Sequence, residues 1–259
     1  MHALTLDWRH RRGYSLQRAV ANPFAAAVEQ AVDGNPTVDQ VRSRHEAFRS
    51  ACTLGVMTCS AAQLDDPALA AWVRSRGVSV EVVSIEQLDF AISAGIRPAH
   101  IVVQGSESAA APLRRAANIG VGGYVIGSAG QAAVLATAVT RRTPIVVDVT
   151  DDDGALEHAI RRTSPLELVG VRMRLVGGRV SHLGEATSAV MATMADVRLR
   201  HGILMTRLNL ADVEMRGLTP GLVARSAAAI EDAVDESCAR HRFPRPIVVL
   251  SPPTNPTRP

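Results

Sequence analysis

The 259-residue sequence contains no lysine, because all 28 side chains counted as lysine or arginine are arginine. A lysine amine can form a Schiff base with a carbonyl compound, whereas a guanidinium stays protonated and is not a nucleophile. The sequence therefore excludes any mechanism in which a lysine within these 259 residues forms a covalent bond to a substrate or cofactor. The codon bias of a GC-rich genome would explain why lysine is rare, but it would not supply the missing amine.

Aromatic residues are also scarce, at 3% of a sequence that is 47% hydrophobic. We therefore expect an all-aliphatic interior and no recognition of single-stranded nucleic acid by base stacking. The three cysteines lack metal-ligand spacing and suit a reducing cytosol: Cys52, Cys59 and Cys238. No apolar run is long enough for a signal peptide or a membrane span, so we predict a cytoplasmic protein without a membrane role.

What the sequence does contain, from residue 53 onward, is a regular alternation of short β-branched runs and amphipathic helical stretches. The predicted strands are Thr53–Cys59, Ser79–Val83, Ile101–Gln104, Gly123–Ile126, Pro144–Val149, Leu166–Leu175, Met205–Leu210 and Pro246–Leu250. The predicted crossover helices are Pro67–Arg76, Ile85–Ala94, Ser108–Ile119, Ala129–Val139, Asp153–Arg161, Glu185–Arg200 and Thr219–His241. This order predicts an α/β fold, a parallel (β/α)8 TIM-like barrel, which typically takes about 250 residues.

The first part of the sequence predicts a helical extension over residues 1–50, followed by the barrel over residues 51–259. Thr37 is placed to cap the second helix of this extension. The apolar positions of that helix recur at helical spacing: Val38, Val41, His45 and Phe48. Because residues 251–259 contain too many prolines to form an eighth crossover helix, we expect the extension to pack over the seam between the last strand and the first. The alternative is a disordered N-terminal arm.

Charged residues cluster where the predicted strands end, which is the end of such a barrel that carries active sites. The candidate pocket residues are Asp148, Arg172, Arg174, Gly177, Gly178, Asp212 and Ser251, with Asp151, Asp152 and Glu214 nearby. Carboxylates here could bind a divalent cation or act as acid and base. Asp151 and Asp152, however, also suit the start of a helix, so we predict no metal site.

Successive side chains of a strand point to opposite faces of the sheet. If Val147 and Val149 face outward, this alternation places Asp148, Arg172 and Arg174 together on the inner face. A buried charge must be paired, so we predict that Asp148 forms an ion pair with Arg172 or Arg174. The glycine pair Gly177-Gly178 could bind a small anion through its backbone amides, although such a pair is more often only a turn. The histidines do not form a nucleophilic triad on any recognisable spacing, and we predict no catalytic residues.

Five segments in collinear order resemble the barrel of the diaminopimelate, ornithine and arginine decarboxylases, which belong with alanine racemase to one type of pyridoxal phosphate (PLP) enzyme. The resemblance covers roughly residues 53–253. The segments read VEVVSIEQLDFAISAGIRPAHIVVQG, LRRAANIGVGGYVIGSAGQAAVLA, LELVGVRMRLVGG, RHGILMTRLNL and PRPIVVLSPP. The resemblance implies the PLP-binding barrel as the scaffold and PLP as the cofactor.

The motifs that hold the cofactor in this family are altered in this sequence. The family's first strand ends in Tyr-Ala-x-Lys-Ala, whose lysine forms the Schiff base, whereas residues 55–63 read GVMTCSAAQ. On the fifth strand the family has an arginine that reaches the cofactor, and here the residue is Asp148. On the sixth strand the family has His-x-His-x-Gly-Ser, and here residues 172–177 read RMRLVG. The anchor and the histidine that stacks on the cofactor ring are therefore both absent.

Two further cofactor-binding motifs of the family are also altered, and the family's second domain has no counterpart in this sequence. The family's Gly-Gly-Gly turn, which cradles the phosphate, is replaced by Ala211-Asp212-Val213, so that side chains and a negative charge stand where a phosphate would lie. The family's Glu-Pro-Gly-Arg, whose glutamate pairs with the pyridinium nitrogen, is replaced by Ser251-Pro252-Pro253-Thr254. The decarboxylases also carry a second β domain after the barrel, which this sequence lacks. We therefore predict no bound cofactor.

Three hypotheses for the function remain open. The first, which we favour, is a catalytically degenerate relative, a pseudoenzyme, that binds a small ligand or a protein partner and that could form a homo- or heterodimer. The second is an enzyme with PLP-independent chemistry at the mouth of the barrel. The third is a decarboxylase or racemase that uses PLP without a lysine. We predict no nucleic-acid partner under any of them.

Overall fold

The computed structural model describes residues 36–105, 110–151, 154–161, 165–175, 180–215 and 217–253. The strands are β1 (Gly55–Met57), β2 (Cys59–Ser60), β3 (Val80–Val82), β4 (Ile101–Gln104), β5 (Gly123–Ile126), β6 (Thr143–Asp148), β7 (Leu166–Arg174), β8 (Arg207–Ala211) and β9 (Ile247–Leu250). All paired strands are parallel, in the order β1-β9-β8-β7-β6-β5-β4-β3-β2. The predicted TIM-like barrel is confirmed.

The barrel closes through its first strand, which changes partner at Thr58. The Thr58 amide donates to the Leu250 carbonyl of β9 at 3.0 Å, whereas the next amide, of Cys59, donates to the Ser79 carbonyl at 2.9 Å. The single strand predicted over Thr53–Cys59 is therefore two short strands, of which β1 pairs with β9 and β2 pairs with β3.

The helices that surround this sheet are α1 (Val38–Ala51), α2 (Pro67–Arg76), α3 (Ile85–Ser93), α4 (Ala110–Ile119), α5 (Ala129–Ala138), α6 (Ala155–Ile160), α7 (Leu183–His201) and α8 (Pro220–His241). Side chains at their first turns explain where several begin. Asp66 accepts hydrogen bonds from two amides of α2, and Ser84 and Ser128 cap α3 and α5. Each cap satisfies a backbone donor that a helix start leaves without a partner.

Helix α1 occupies the position that a helix after the last strand would otherwise fill. It contacts α8, β1 and α2, and it buries Val41, His45 and Phe48 toward the barrel. Thr37 caps it as predicted, in a reciprocal capping box with Gln40. The rest of the predicted extension, residues 1–35, lies outside the described residues, so the domain division stays a prediction.

The two faces of the sheet have different chemistry. The outward side chains of the strands, such as Val80, Ile101 and Leu208, are fully buried beneath the helices in an aliphatic layer. The inward side chains include Glu81, Arg172 and Asn209, which are also buried. The prediction of an all-aliphatic interior is therefore wrong, because the inner face of the barrel carries buried charged and polar side chains. No helix in the described ranges is long and apolar enough to cross a membrane.

A bulge in β7 brings its neighbour β8 close. Ile145 pairs with Leu168 but Val146 pairs with Gly170, so Val169 is an extra residue in the ladder. A Cβ atom at Gly170 would lie 2.5 Å from the Arg207 carbonyl oxygen and 2.7 Å from its Cβ. Only glycine allows this approach, which fixes where the Arg207 side chain leaves β8.

Candidate functional site

Glu81 is the centre of a buried polar network near the carboxyl ends of the strands. Its Oε1 accepts hydrogen bonds from Thr58 Oγ1, at 2.8 Å, and from the Ser251 hydroxyl. Its Oε2 accepts from Arg172 Nη1, at 2.9 Å, and from the Gln104 amide. Two donors on each carboxylate oxygen use all the acceptor positions that a carboxylate offers. Glu81 therefore has no free acceptor position left for a metal ion or a bound molecule.

Arg172 supplies the charge that balances Glu81, and its side chain is completely buried. Its Nε also lies 3.9 Å from Asp148 Oδ2, so the guanidinium lies between two carboxylates on neighbouring strands. Its Nη2 is buried without a hydrogen-bond partner in the part of the chain that the structure describes. An isolated guanidinium at this depth would be prohibitively costly, so the pair with Glu81 stabilises the interior only as a unit.

Arg174 extends the network toward solvent. Its Nε lies 3.2 Å from Asp148 Oδ2, and its Nη2 donates to Asp151, which is largely exposed. Thr150 joins the two strands, since its amide donates to Asp148 at 2.9 Å and its hydroxyl accepts from the Arg174 amide at 2.7 Å. The predicted pairing of Asp148 with an arginine on the next strand is therefore present, and its closer partner is Arg174.

Asp212 follows β8 in a backbone conformation that side chains rarely adopt, with φ at 57°. Burial raises the pKa of its carboxyl, an effect opposed by the nearby positive charges of Arg172 and Arg174. Aspartate tolerates the left-handed region better than most residues, but glycine adopts it without cost. Asp212 therefore combines a left-handed backbone with a carboxyl whose pKa is raised by burial.

Most of the predicted pocket residues lie together at this end of the barrel. Asp148, Arg172 and Arg174 form one network, Asp212 lies within its electrostatic reach, and Ser251 donates to its centre. Gly177, Gly178 and Asp152 lie outside the described residues.

Glu81 was missed by the sequence reasoning. A lone glutamate at an inward position of the valine-rich segment VEVV was the available signal. Across the described ranges, no group of three or more histidine, cysteine, aspartate or glutamate side chains is arranged to hold a metal ion.

A cavity of about 540 Å³ occupies the other half of the barrel interior, where the strands begin. Its walls include residues at or next to the starts of β3, β5, β6, β8 and β9: Ser79, Gly123, Pro144, Arg207 and Ile247. Glu81 and Asn209 lie at its inner end. Val56 and Ile247 are 42% and 37% exposed, because this end of the barrel is open to solvent.

Helices α1 and α2 contribute the rim of this cavity. His45 and Trp72 meet edge to face with ring centroids 5.0 Å apart, and His45 Nε2 lies 3.8 Å from Cys59 Sγ. Burial, together with the positive charge of Arg49, lowers the pKa of His45 to about 4, and burial raises the pKa of Cys59 to about 12. Both side chains are therefore neutral at physiological pH.

Comparisons with known proteins agree with this architecture. The model of the family described as pyridoxal-dependent decarboxylase, pyridoxal binding domain, matches residues 38–210. A search of curated proteins found no match. Among solved structures, diaminopimelate decarboxylase from Helicobacter pylori, complexed with L-lysine, superimposes with a TM-score of 0.67 at 14% identity, over 83% of this chain and 61% of that one.

Lysine decarboxylase from Selenomonas ruminantium superimposes with a TM-score of 0.65 at 16% identity, over 83% of this chain and 59% of the other. At such identities the likeness shows the fold alone, and this chain spans about three fifths of the length of either structure. The family match covers the strands from β1 to almost the end of β8, so the chain belongs to the pyridoxal-dependent decarboxylase family through its pyridoxal-binding domain.

Proposed function

We propose that this protein is a PLP-independent member of its family, which acts by binding a small molecule or a protein partner. The observation that carries the proposal is the saturation of Glu81 by four donors next to a fully buried Arg172. A site built for catalysis keeps groups poised for the reacting atoms. Here the polar side chains at the mouth are paired mainly with one another.

The residues of the mouth do not fit PLP as a covalently held cofactor. No side-chain amine exists in the sequence, and the inward side chain of the first strand beside Glu81 is Thr58. Among the described residues, four carboxyl groups face two guanidinium groups there: Glu81, Asp148, Asp151 and Asp212 against Arg172 and Arg174. This balance disfavours a dianionic phosphate. We therefore derive no chemical step through the cofactor.

The test is to incubate the purified full chain with PLP, reduce it with borohydride and locate adducts by mass spectrometry. We expect no phosphopyridoxyl adduct on any internal residue and no absorbance band of bound PLP in the visible range. An internal adduct, or a band that survives gel filtration, would overturn the proposal.

A matched variant separates the missing amine from the altered mouth. Thr58→Lys places an amine at the inner end of β1, beside Glu81. We expect this variant to form no adduct either, because the charges around Arg172 stay in place. An adduct on Lys at position 58 alone would contradict our charge argument and would show that the mouth still accepts PLP.

The strained and half-buried Asp212 favours a second candidate, an enzyme of PLP-independent acid–base chemistry. Raised carboxyl pKa values and unusual backbone angles concentrate at active sites. A small-molecule stability screen identifies compounds that raise the melting temperature, since a ligand that binds only the native state stabilises it. If NMR then shows turnover of such a compound by the wild type and not by Asp212→Asn, this candidate replaces the first. We expect binding without turnover.

A further inference from the structure

We propose that the cavity at the amino ends of the strands is a binding site for a small organic anion with an apolar body. The inference rests on the proposed binding role, but it assigns the ligand to the end of the barrel opposite the family's cofactor site. Its volume of about 540 Å³ lies within the range of about 300–1,000 Å³ that is usual for small-molecule sites.

The charge of the cavity points to an anion. Arg49, Arg76 and Arg207 line it, and none of the three forms an ion pair with another described residue. The acidic residue on the rim, Glu46, is engaged by Arg42 at 3.0 Å, and Glu81 at the inner end is saturated by its own donors. Three uncompensated guanidinium groups around a cleft focus a positive potential on its contents. Guanidinium forks match carboxylate and phosphate groups in particular.

The interior of the cavity also carries polar side chains that could contact a ligand larger than a single ion. Asn209 is 6% exposed, yet its Oδ1 has no hydrogen-bond partner among the described residues. The Trp72 Nε1 donor is likewise buried and without a partner there. Both residues line the cavity, so its interior offers polar side chains beside the apolar walls.

The apolar walls account for the rest of the ligand. Val56, Val102, Val249 and Ile247 line the cavity between the cationic rim and the buried amide of Asn209. An occupant that carries its anionic group at the rim and an apolar body inside would cover these side chains. Covering them is favourable because it removes apolar surface from water.

Arg207 has the best-defined position of the three arginines. It leaves β8 opposite Gly170, where the missing Cβ allows the two strands to approach. A carboxylate or phosphate held by Arg207 would thus sit at the amino end of the β7–β8 pair. Arg76, at the end of α2, and Arg49, at the end of α1, approach the same opening from the helices.

The test uses calorimetric titration of the full chain with four probes: 2-naphthoate, 1-naphthyl phosphate, neutral 2-naphthamide and inorganic phosphate. We expect at least one naphthyl anion to bind at least about tenfold more tightly than 2-naphthamide and than inorganic phosphate. The carboxylate and phosphate probes together distinguish the two sources of negative charge. In a Trp8→Phe background, the same anion should change the fluorescence of Trp72.

Variants then locate the site. We expect Arg207→Ala to weaken the best naphthyl anion about tenfold, Arg207→Lys to restore part of the affinity, and Arg114→Ala, on the outer helix α4, to have no effect. If Arg207→Ala fails to fold, Arg76→Ala on α2 tests the same point outside the sheet. Equal binding of 2-naphthamide, unchanged affinity in both arginine variants, or no binding of either anion at millimolar concentration would overturn the inference. A PLP adduct at the mouth would overturn the proposed function and leave this result standing.

Discussion

The two ends of this barrel interior are formed by the same strands, yet charged side chains are paired with one another at one end and stand around a cavity at the other. At the carboxyl end, Glu81, Arg172, Asp148 and Arg174 are paired with one another. At the amino end, arginines that form no ion pair with another described residue stand around a cavity. Charged side chains are thus engaged within the protein at one end and remain available at the other.

The comparison teaches that ion pairing decides which charged side chains remain available to a ligand. A charged residue placed inside a barrel must be neutralised, and a partner within the protein then engages its polar atoms. At the amino end some inward residues are small, such as Ser79 and Gly123, and a cavity is present.

The largest expected effect is the loss of stability when the buried ion pair at the carboxyl end is disrupted. Arg172→Ala should lower the free energy of unfolding by about 3–5 kcal/mol, because it leaves Glu81 charged and buried without its balancing charge. Arg174→Ala should lower it by less than about 1 kcal/mol, since its side chain is 41% exposed and its ion pairs are screened. Denaturant unfolding of both variants measures the difference. Similar losses of unfolding free energy in the two variants would mean that the burial of Arg172 does not increase the cost of removing it.

A double variant is the control for this prediction. Replacing both partners, as in Glu81→Leu with Arg172→Met, removes the two charges together. It should recover part of the stability lost in Arg172→Ala, because apolar groups of similar volume can replace a buried pair. If the double variant is less stable than Arg172→Ala, the hydrogen bonds from Thr58 and Ser251 matter more than the charges.

The next effect belongs to the amino end and depends on pH. The pKa of His45 is lowered to about 4 in the folded protein, against 6.5 as its ordinary value, so the unfolded chain binds its proton first. The stability is therefore complete above pH 6.5 and is lost as the pH falls toward 4, by on the order of 3 kcal/mol. Unfolding curves between pH 7 and 4 measure the slope. His45→Gln should flatten it, whereas His182→Gln, at an exposed position, should not.

The smallest expected effect is a gain in stability on replacing a residue with a left-handed backbone by glycine. Asp212→Gly, at φ 57°, should raise the stability by up to about 1 kcal/mol, because glycine adopts this region without strain. Arg242→Gly, at φ 49° after α8, is a matched change away from the mouth. A larger gain for Asp212→Gly, read from melting temperatures, would measure the cost of its half-buried carboxyl. Equal gains would assign the whole effect to the backbone.

Sequence reasoning reached the fold because the periodicity that defines it is local. The alternation of β-branched runs and amphipathic stretches placed β3 to β9 within two residues of their observed bounds, and Thr37 marked the start of α1. The first strand was assigned as one element because nothing in residues 53–59 records a change of partner. That change depends on β9 and on the segment before β3, which are distant in sequence.

The site was only partly predictable for the same reason. Strand parity placed Asp148, Arg172 and Arg174 on one face, which is a local property. Glu81 is on β3, four strands from β7 in the sheet, and only closure of the barrel brings it against Arg172. The cavity depends on side-chain sizes at one level of all the strands at once, and no single segment shows it.

The change of partner at Thr58 has a consequence for how the chain folds during synthesis. Gly55 near the start of the barrel pairs with Val248 near its end, so one edge of the first strand stays without hydrogen bonds until the last strand has been made. Such an edge can pair with another chain, and contacts this distant in sequence form slowly. The moment of greatest aggregation risk for this protein therefore falls late, just before the ring of strands is complete.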